Sequence, residues 1–114
     1  MKKTILATLF LFIVRLSFAH TITCSSVTAL QTGSNSAANG DTLVLSNGTY
    51  LNNTLNITKS NITIKAATNG GVFLNGTNAI TIQASYVTFS GFQFTSGSIG
   101  SAYIIQVYGS HNTL

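Results

Sequence analysis

Ile62-Thr63-Ile64-Lys65-Ala66, then Asn69-Gly70-Gly71, then Val72-Phe73-Leu74-Asn75-Gly76 is the stretch that decides the fold. Apolar and polar residues alternate along each run, β-branched and aromatic side chains dominate, and Asn-Gly turns close the runs, all of which are strand and turn signals. The triplet returns as Ile80-Thr81-Ile82, 18 residues on, and as Ile105-Gln106-Val107, 25 residues further, while Leu43-Val44-Leu45 lies 19 residues before the first copy. Spacings near 20 that vary by a few residues predict a solenoid whose coils differ in loop length. In that stack Ile62 and Ile64 lie over Ile80 and Ile82 inside, and Thr63 lies over Thr81 outside. Asn69, Asn75 and Asn78 fall at corners, where side-chain amides bond along the stack. Val87-Thr88-Phe89 and Phe92-Gln93-Phe94 continue the pattern, and Phe73, Phe89, Phe92 and Phe94 read as inward packing.

Composition supports a stack of strands. The 114 residues include no Pro, one Cys and only 5% charged residues, against about 25% in an ordinary domain. Strands that need every N–H for a ladder exclude Pro. Identical ionised residues stacked about 4.8 Å apart repel, which disfavours charge. A β-sandwich calls for tight two-residue hairpins and leaves these features unexplained. Asp41 is the sole acidic residue. A self-contained paired-carboxylate site and a carboxylate cage for calcium are therefore excluded within this chain. Apolar residues at 45% exclude a disordered segment.

The N-terminus has the layout of a secretory leader. Lys2 and Lys3 precede an apolar run over residues 5–14, and Ser17-Phe18-Ala19 is a small-x-small cleavage signal placing the cut between Ala19 and His20. The run is shorter than the roughly 20 residues of a spanning helix, so no membrane association is expected after cleavage, and the product is expected outside the cell. The formal charge of +4 belongs mostly to the leader, because residues 20–114 keep only Lys59 and Lys65 against Asp41. No basic patch remains for nucleic acid. Cys24 has no partner in this chain, and no basic surroundings activate its thiol.

Helical periodicity appears once. Ser26 caps an expected helix over residues 26–39 with Val27, Leu30, Ala37 and Ala38 on one side, ended by Asn39-Gly40 as a left-handed stop. Gly33 and its polar neighbours weaken its middle. This helix is expected to cover the open end of the solenoid, as terminal units do.

Gly40-Asp41-Thr42-Leu43-Val44-Leu45-Ser46-Asn47-Gly48-Thr49-Tyr50, the following Ile62 and Val72 runs, and Ile105-Gln106-Val107-Tyr108-Gly109-Ser110-His111-Asn112 together resemble secreted polysaccharide lyases of the chondroitinase B and alginate lyase family. The resemblance covers about residues 27–114. It implies a right-handed parallel β-helix and β-elimination of uronate-containing polysaccharide, such as alginate or chondroitin and dermatan sulfate. It also implies calcium to neutralise the substrate carboxylate, a lysine base and an assisting arginine, and an anionic polysaccharide as partner. Residues 20–114 contain no Arg or Glu, so no catalytic, cofactor-binding or metal-ligating residue is carried over. The chain is expected to be the cap and first coils of a longer lyase-like protein, truncated at 114 and catalytically silent alone. The alternative is a non-catalytic β-helix adhesion or carbohydrate-binding module. An ice-binding face would need more stacked threonines than Thr63 and Thr81.

Asp41 reads as an acceptor for turn amides, Lys59 and Lys65 as solvated side chains, and His111 as a corner residue. Tyr50, Tyr86, Tyr103 and Tyr108 are the carbohydrate-stacking candidates. Asn47, Asn52, Asn56, Asn61 and Asn75 each open an Asn-x-Ser/Thr tripeptide, a glycan acceptor in a eukaryotic secretory pathway.

Overall fold

A computed structural model describes residues 18–97 and 104–114. The leader expected over residues 1–19 falls largely outside them, as does Tyr103. Ten strands and one helix follow in the order β1 (Thr21–Cys24), α1 (Val27–Ser36), β2 (Thr42–Leu45), β3 (Gly48–Leu51), β4 (Thr54–Ile57), β5 (Thr63–Ala66), β6 (Val72–Asn75), β7 (Ala79–Ile82), β8 (Thr88–Ser90), β9 (Phe92–Thr95) and β10 (Ile105–Val107). They form three parallel sheets, ordered β1-β2-β5-β8, β3-β6-β9 and β4-β7-β10. The chain visits one strand of each sheet in turn, so every coil lies on the one before it. This is a parallel β-helix.

Interior columns are in register. Ile22, Leu43, Ile64 and Phe89 stack in the first sheet, and Leu55, Ile80 and Ile105 in the third. Leu43, Leu45, Ile57, Ile64, Val72, Ile82 and Val87 are fully buried. Outward positions alternate with them, as a strand with one face on the core requires.

The register differs from the one expected from the triplets. Ile62-Thr63-Ile64 and Ile80-Thr81-Ile82 lie in different sheets, the first paired with β2 and β8, the second with β4 and β10. Thr63 stacks on Thr42 and Thr88, not on Thr81, and the column runs from Thr21 through Thr88 with Thr113 bridged to it. The 18-residue spacing therefore separates two walls of one coil, whereas the 25-residue spacing from Ile80 to Ile105 is a true coil repeat. Leu43 pairs with Ile64, two residues from the expected match. A two-residue slip keeps the same side chains inside, so it leaves the apolar pattern intact.

The helix is shorter than expected. Ser26 does cap it, its hydroxyl accepting the Ala29 N–H at 3.0 Å, but it ends at Ser36 with Ala37 extended. Gly40 is left-handed at φ 89° not as the helix stop but as the turn into β2. Leu30, Ser34 and Ala37 are buried while Ala38 is exposed. The helix packs on β1, β2 and β4. Gly33 has a packing reason, since a Cβ there would stand 2.8 Å from Leu43 Cδ2. The Gln31 carboxamide pairs with the edge of β4 as a peptide group would: its Nε2 donates to the Asn56 carbonyl at 2.9 Å and its Oε1 accepts the Asn56 N–H at 2.7 Å.

Candidate functional site

Polar chemistry concentrates at the corners. One corner repeats a left-handed residue in every coil, Gly40, Asn61, Tyr86 and His111, with φ between 57° and 89°. Their backbones hydrogen-bond down the column, from Gly40 N–H to the Asn61 carbonyl and from Asn61 N–H to the Ser85 carbonyl. Beside them Ser60, Ser85 and Ser110 form a ladder: the Ser85 N–H donates to Ser60 Oγ and the Ser110 N–H to Ser85 Oγ, both at 3.1 Å. The Tyr86 and His111 rings stack outside at 4.7 Å and 8°. Tyr86 is 58% exposed, and the nearby Tyr108 is exposed as well. This aromatic pair faces solvent, with the serine hydroxyls beside it.

The Gly109-Ser110-His111-Asn112 run explains itself at this corner. A Cβ at Gly109 would overlap the Ala84 carbonyl. Ser110 extends the serine ladder and His111 takes the left-handed turn. Asn112 accepts the Val87 N–H and donates to the Ala84 carbonyl, both at 2.9 Å. Each residue of the run joins one coil to the next.

The remaining candidates divide cleanly. Tyr50 is half-buried and its hydroxyl donates to the Ser46 carbonyl at 2.6 Å, with burial raising its pKa, so it is a packing residue. Phe89 and Phe92 stack inside at 4.3 Å, and Phe92 and Phe94 pack on the core. Phe73 is the exception to the expected inward set, because it takes an outward position on β6 between buried Val72 and Leu74. Lys59 and Lys65 are exposed. Asn47, Asn52, Asn56 and Asn61 are exposed and Asn75 is half-buried. Asn47 already bridges to Thr68, and Asn52 Oδ1 accepts the Thr77 N–H. At a second corner Asn78 pairs with Asn53, whose Nδ2 donates to Asn78 Oδ1 at 2.8 Å, both residues buried. Asn53, not Asn69 or Asn75, is thus the stacking partner that the sequence reading missed. The 25-residue spacing was its only signal. Cys24 is a buried free thiol, its pKa raised by burial.

A groove of about 500 Å³ runs between α1 and the β3–β4 corner, lined by Thr28, Gln31, Tyr50, Asn52 and Asn53 among others. Its lining carries no charge to match a uronate. The donor set does not fit calcium. Asp41 is the only carboxylate, it is 4% exposed, and its two oxygens accept the His20 and Ala38 N–H groups, each at 2.9 Å. Those two bonds hold its pKa below the usual carboxylate range.

In-register coils, three parallel sheets and hydrogen-bonded corner ladders define a parallel β-helix protein. The profile described as Chondroitinase B matches residues 24–114, and the chain belongs to that family. Among solved structures, the PL6 family alginate lyase AlyGC is 24% identical over 75% of this chain and 12% of its own, with a TM-score of 0.63. A PL6 alginate lyase in complex with a trisaccharide is 25% identical over 85% of this chain and 22% of its own, with a TM-score of 0.67. The alginate lyase AlyF-OU02 is 29% identical over 74% of this chain and 18% of its own, with a TM-score of 0.57. The chain thus spans less than a quarter of each of these structures. No curated protein matches it significantly. Among the described residues no helix is long and apolar enough to cross a membrane.

Proposed function

We propose that this chain is the N-terminal part of a secreted, lyase-like parallel β-helix protein whose substrate class is uronate-containing polysaccharide, such as alginate or chondroitin and dermatan sulfate. The observation that carries the reading is the family match over residues 24–114, laid on coils whose corner run Gly109-Ser110-His111-Asn112 is built for stacking. The hand is right-handed, as about 98% of parallel crossovers are. The helix α1 is the cap: it covers the first coil with Leu30 and supplies the edge of β4 with the Gln31 carboxamide. Further coils follow the described ones. Phe89, Phe92, Phe94, Ile105 and Leu114 line an open depression of about 300 Å³ at the lower end, which a following coil would fill.

Catalysis belongs to those further coils, with calcium, a lysine base and an arginine supplied there. The chain itself provides fold, end-closure and the Tyr86–His111 surface. Incubated with alginate or chondroitin sulfate, it should give no rise in ultraviolet absorbance from unsaturated uronate ends. Measurable turnover by this chain would overturn the division of labour. A non-catalytic carbohydrate-binding role is the second reading, favoured by the same exposed aromatic pair. Alginate-dependent perturbation of the Tyr86 and His111 ring resonances without turnover would support it.

A further inference from the structure

Asp41 sits in a position that the other coils fill differently. The residues before the threonine column are His20, Asp41, Ile62, Val87 and Asn112, as the ladder bonds from Thr42 to His20, Thr63 to Asp41, Thr88 to Ile62 and Thr113 to Val87 show. Ile62 and Val87 are simply buried. Asn112 and Asp41 share a motif, each accepting the N–H of the column neighbour one coil above: Asn112 from Val87, Asp41 from His20, both at 2.9 Å. The donor to Asn112 lies inside the chain and stays an amide. The donor to Asp41 is the nitrogen of the expected cleavage site. The single acid of the chain thus stands where that cleavage would create an amine.

We propose that the Asp41 carboxylate is the receptor for the processed N-terminus, and that leader removal turns the His20–Asp41 hydrogen bond into a buried-end ion pair. The inference rests on the leader reading given above. Hydrolysis of the Ala19–His20 bond consumes one water. The C–N bond breaks, Ala19 leaves with a carboxylate, and the His20 nitrogen takes the protons to become an α-ammonium. That nitrogen is already 2.9 Å from Asp41 Oδ1, and the His20 carbonyl is held by the Thr42 N–H at 2.8 Å. Before cleavage, the one basic side chain facing Asp41 among the described residues is the exposed His20 ring, with Nδ1 at 3.7 Å. A carboxylate at 4% exposure with two amide donors is hydrogen-bonded but not neutralised. An ammonium in the same place gives the shorter, stronger charge-assisted bond. Cleavage is thereby coupled to the stability of the first coil: His20, the residue before β1, is held by a neutral hydrogen bond in the uncleaved chain and by an ion pair in the mature one.

The full 114-residue chain, expressed in a secreting host, tests this in two separable steps. N-terminal sequencing and intact mass of the secreted product should give His20 as the first residue; any other first residue overturns the leader reading and the proposal with it. Reductive ¹³C-methylation then reports the α-amine by titration. It should titrate about 1 unit or more above the ordinary range of roughly 7.7–8.0. The control carries one Gly inserted between Ala19 and His20, which restores an amide at His20 and moves the amine away while leaving Asp41 in place. Its amine should titrate in the ordinary range, and its Tm should fall by about 4 °C or more. Asp41→Asn should remove the upward shift in the processed chain. A His20 amine that titrates like the insertion control's, with equal Tm, would overturn the ion pair while leaving the leader reading intact.

Discussion

In the walls of the coil, Leu43 lies on Ile64 and Leu55 on Ile80. At the corners, Ser85 lies between Ser60 and Ser110, and Asn53 on Asn78. The wall contacts are non-directional. Any apolar side chain of suitable volume fills the column, and a slip by two residues costs little in pattern. The corner contacts are directional, since an amide or hydroxyl must meet a particular N–H or carbonyl at bonding distance. Walls therefore supply most of the burial, and corners hold the vertical register. The columns Asn53–Asn78 and Ser60–Ser85–Ser110 all repeat at 25 residues, the true coil length there.

The division can be broken from either side. Leu43→Ala empties a fully buried wall site and should destabilise by about 2–5 kcal/mol, read from the urea midpoint; a loss under about 1 kcal/mol would mean that the walls are not the main store of stability. Asn78→Ala leaves the Asn53 N–H without its acceptor and should cost about 1–3 kcal/mol. Its amide exchange should quicken along β4 and β7, marking a register effect that a smaller core would not produce. Asn61→Ala replaces a residue type that tolerates the left-handed region with one that does not, in the turn at φ 60°, costing about 1 kcal/mol. Lys65→Ala on an outward wall position should stay within about 0.5 kcal/mol. Equal effects of this last pair would erase the contrast between corner and wall.

Acid sharpens the contrast at one point. Asp41 has its pKa lowered by the His20 and Ala38 N–H groups. Its contribution is present above the unfolded value of about 3.9 and is lost as pH falls through the lower folded value. Urea midpoints should fall on acidification below about pH 4, and Asp41→Asn should flatten that limb. No other Asp or Glu exists to produce it.

The sequence reading recovered the coils because alternation survives an even slip. Ile80 over Ile105 was legible, and so was Ser26 as a cap. Placing Ile62-Thr63-Ile64 over Ile80-Thr81-Ile82 failed because apolar triplets on neighbouring walls of one coil look alike. Corner residues would have separated them, yet Ser60, Ser85 and Ser110 are common residues whose meaning appears only once their spacing is matched to a ladder. Phe73 was misplaced because aromatic character is a poor guide to direction when Val72 and Leu74 on either side claim the interior.

From its residues alone this chain was committed to short parallel strands, an interior of aliphatic columns and almost no charge, because period, composition and residue type are local properties. Which strand lies on which, the pairing of Asn53 with Asn78, the stacking of Tyr86 on His111 and the meeting of His20 with Asp41 were decided by the folded coil. Those partners stand 21 to 25 residues apart, and only the closed geometry of each turn sets that distance.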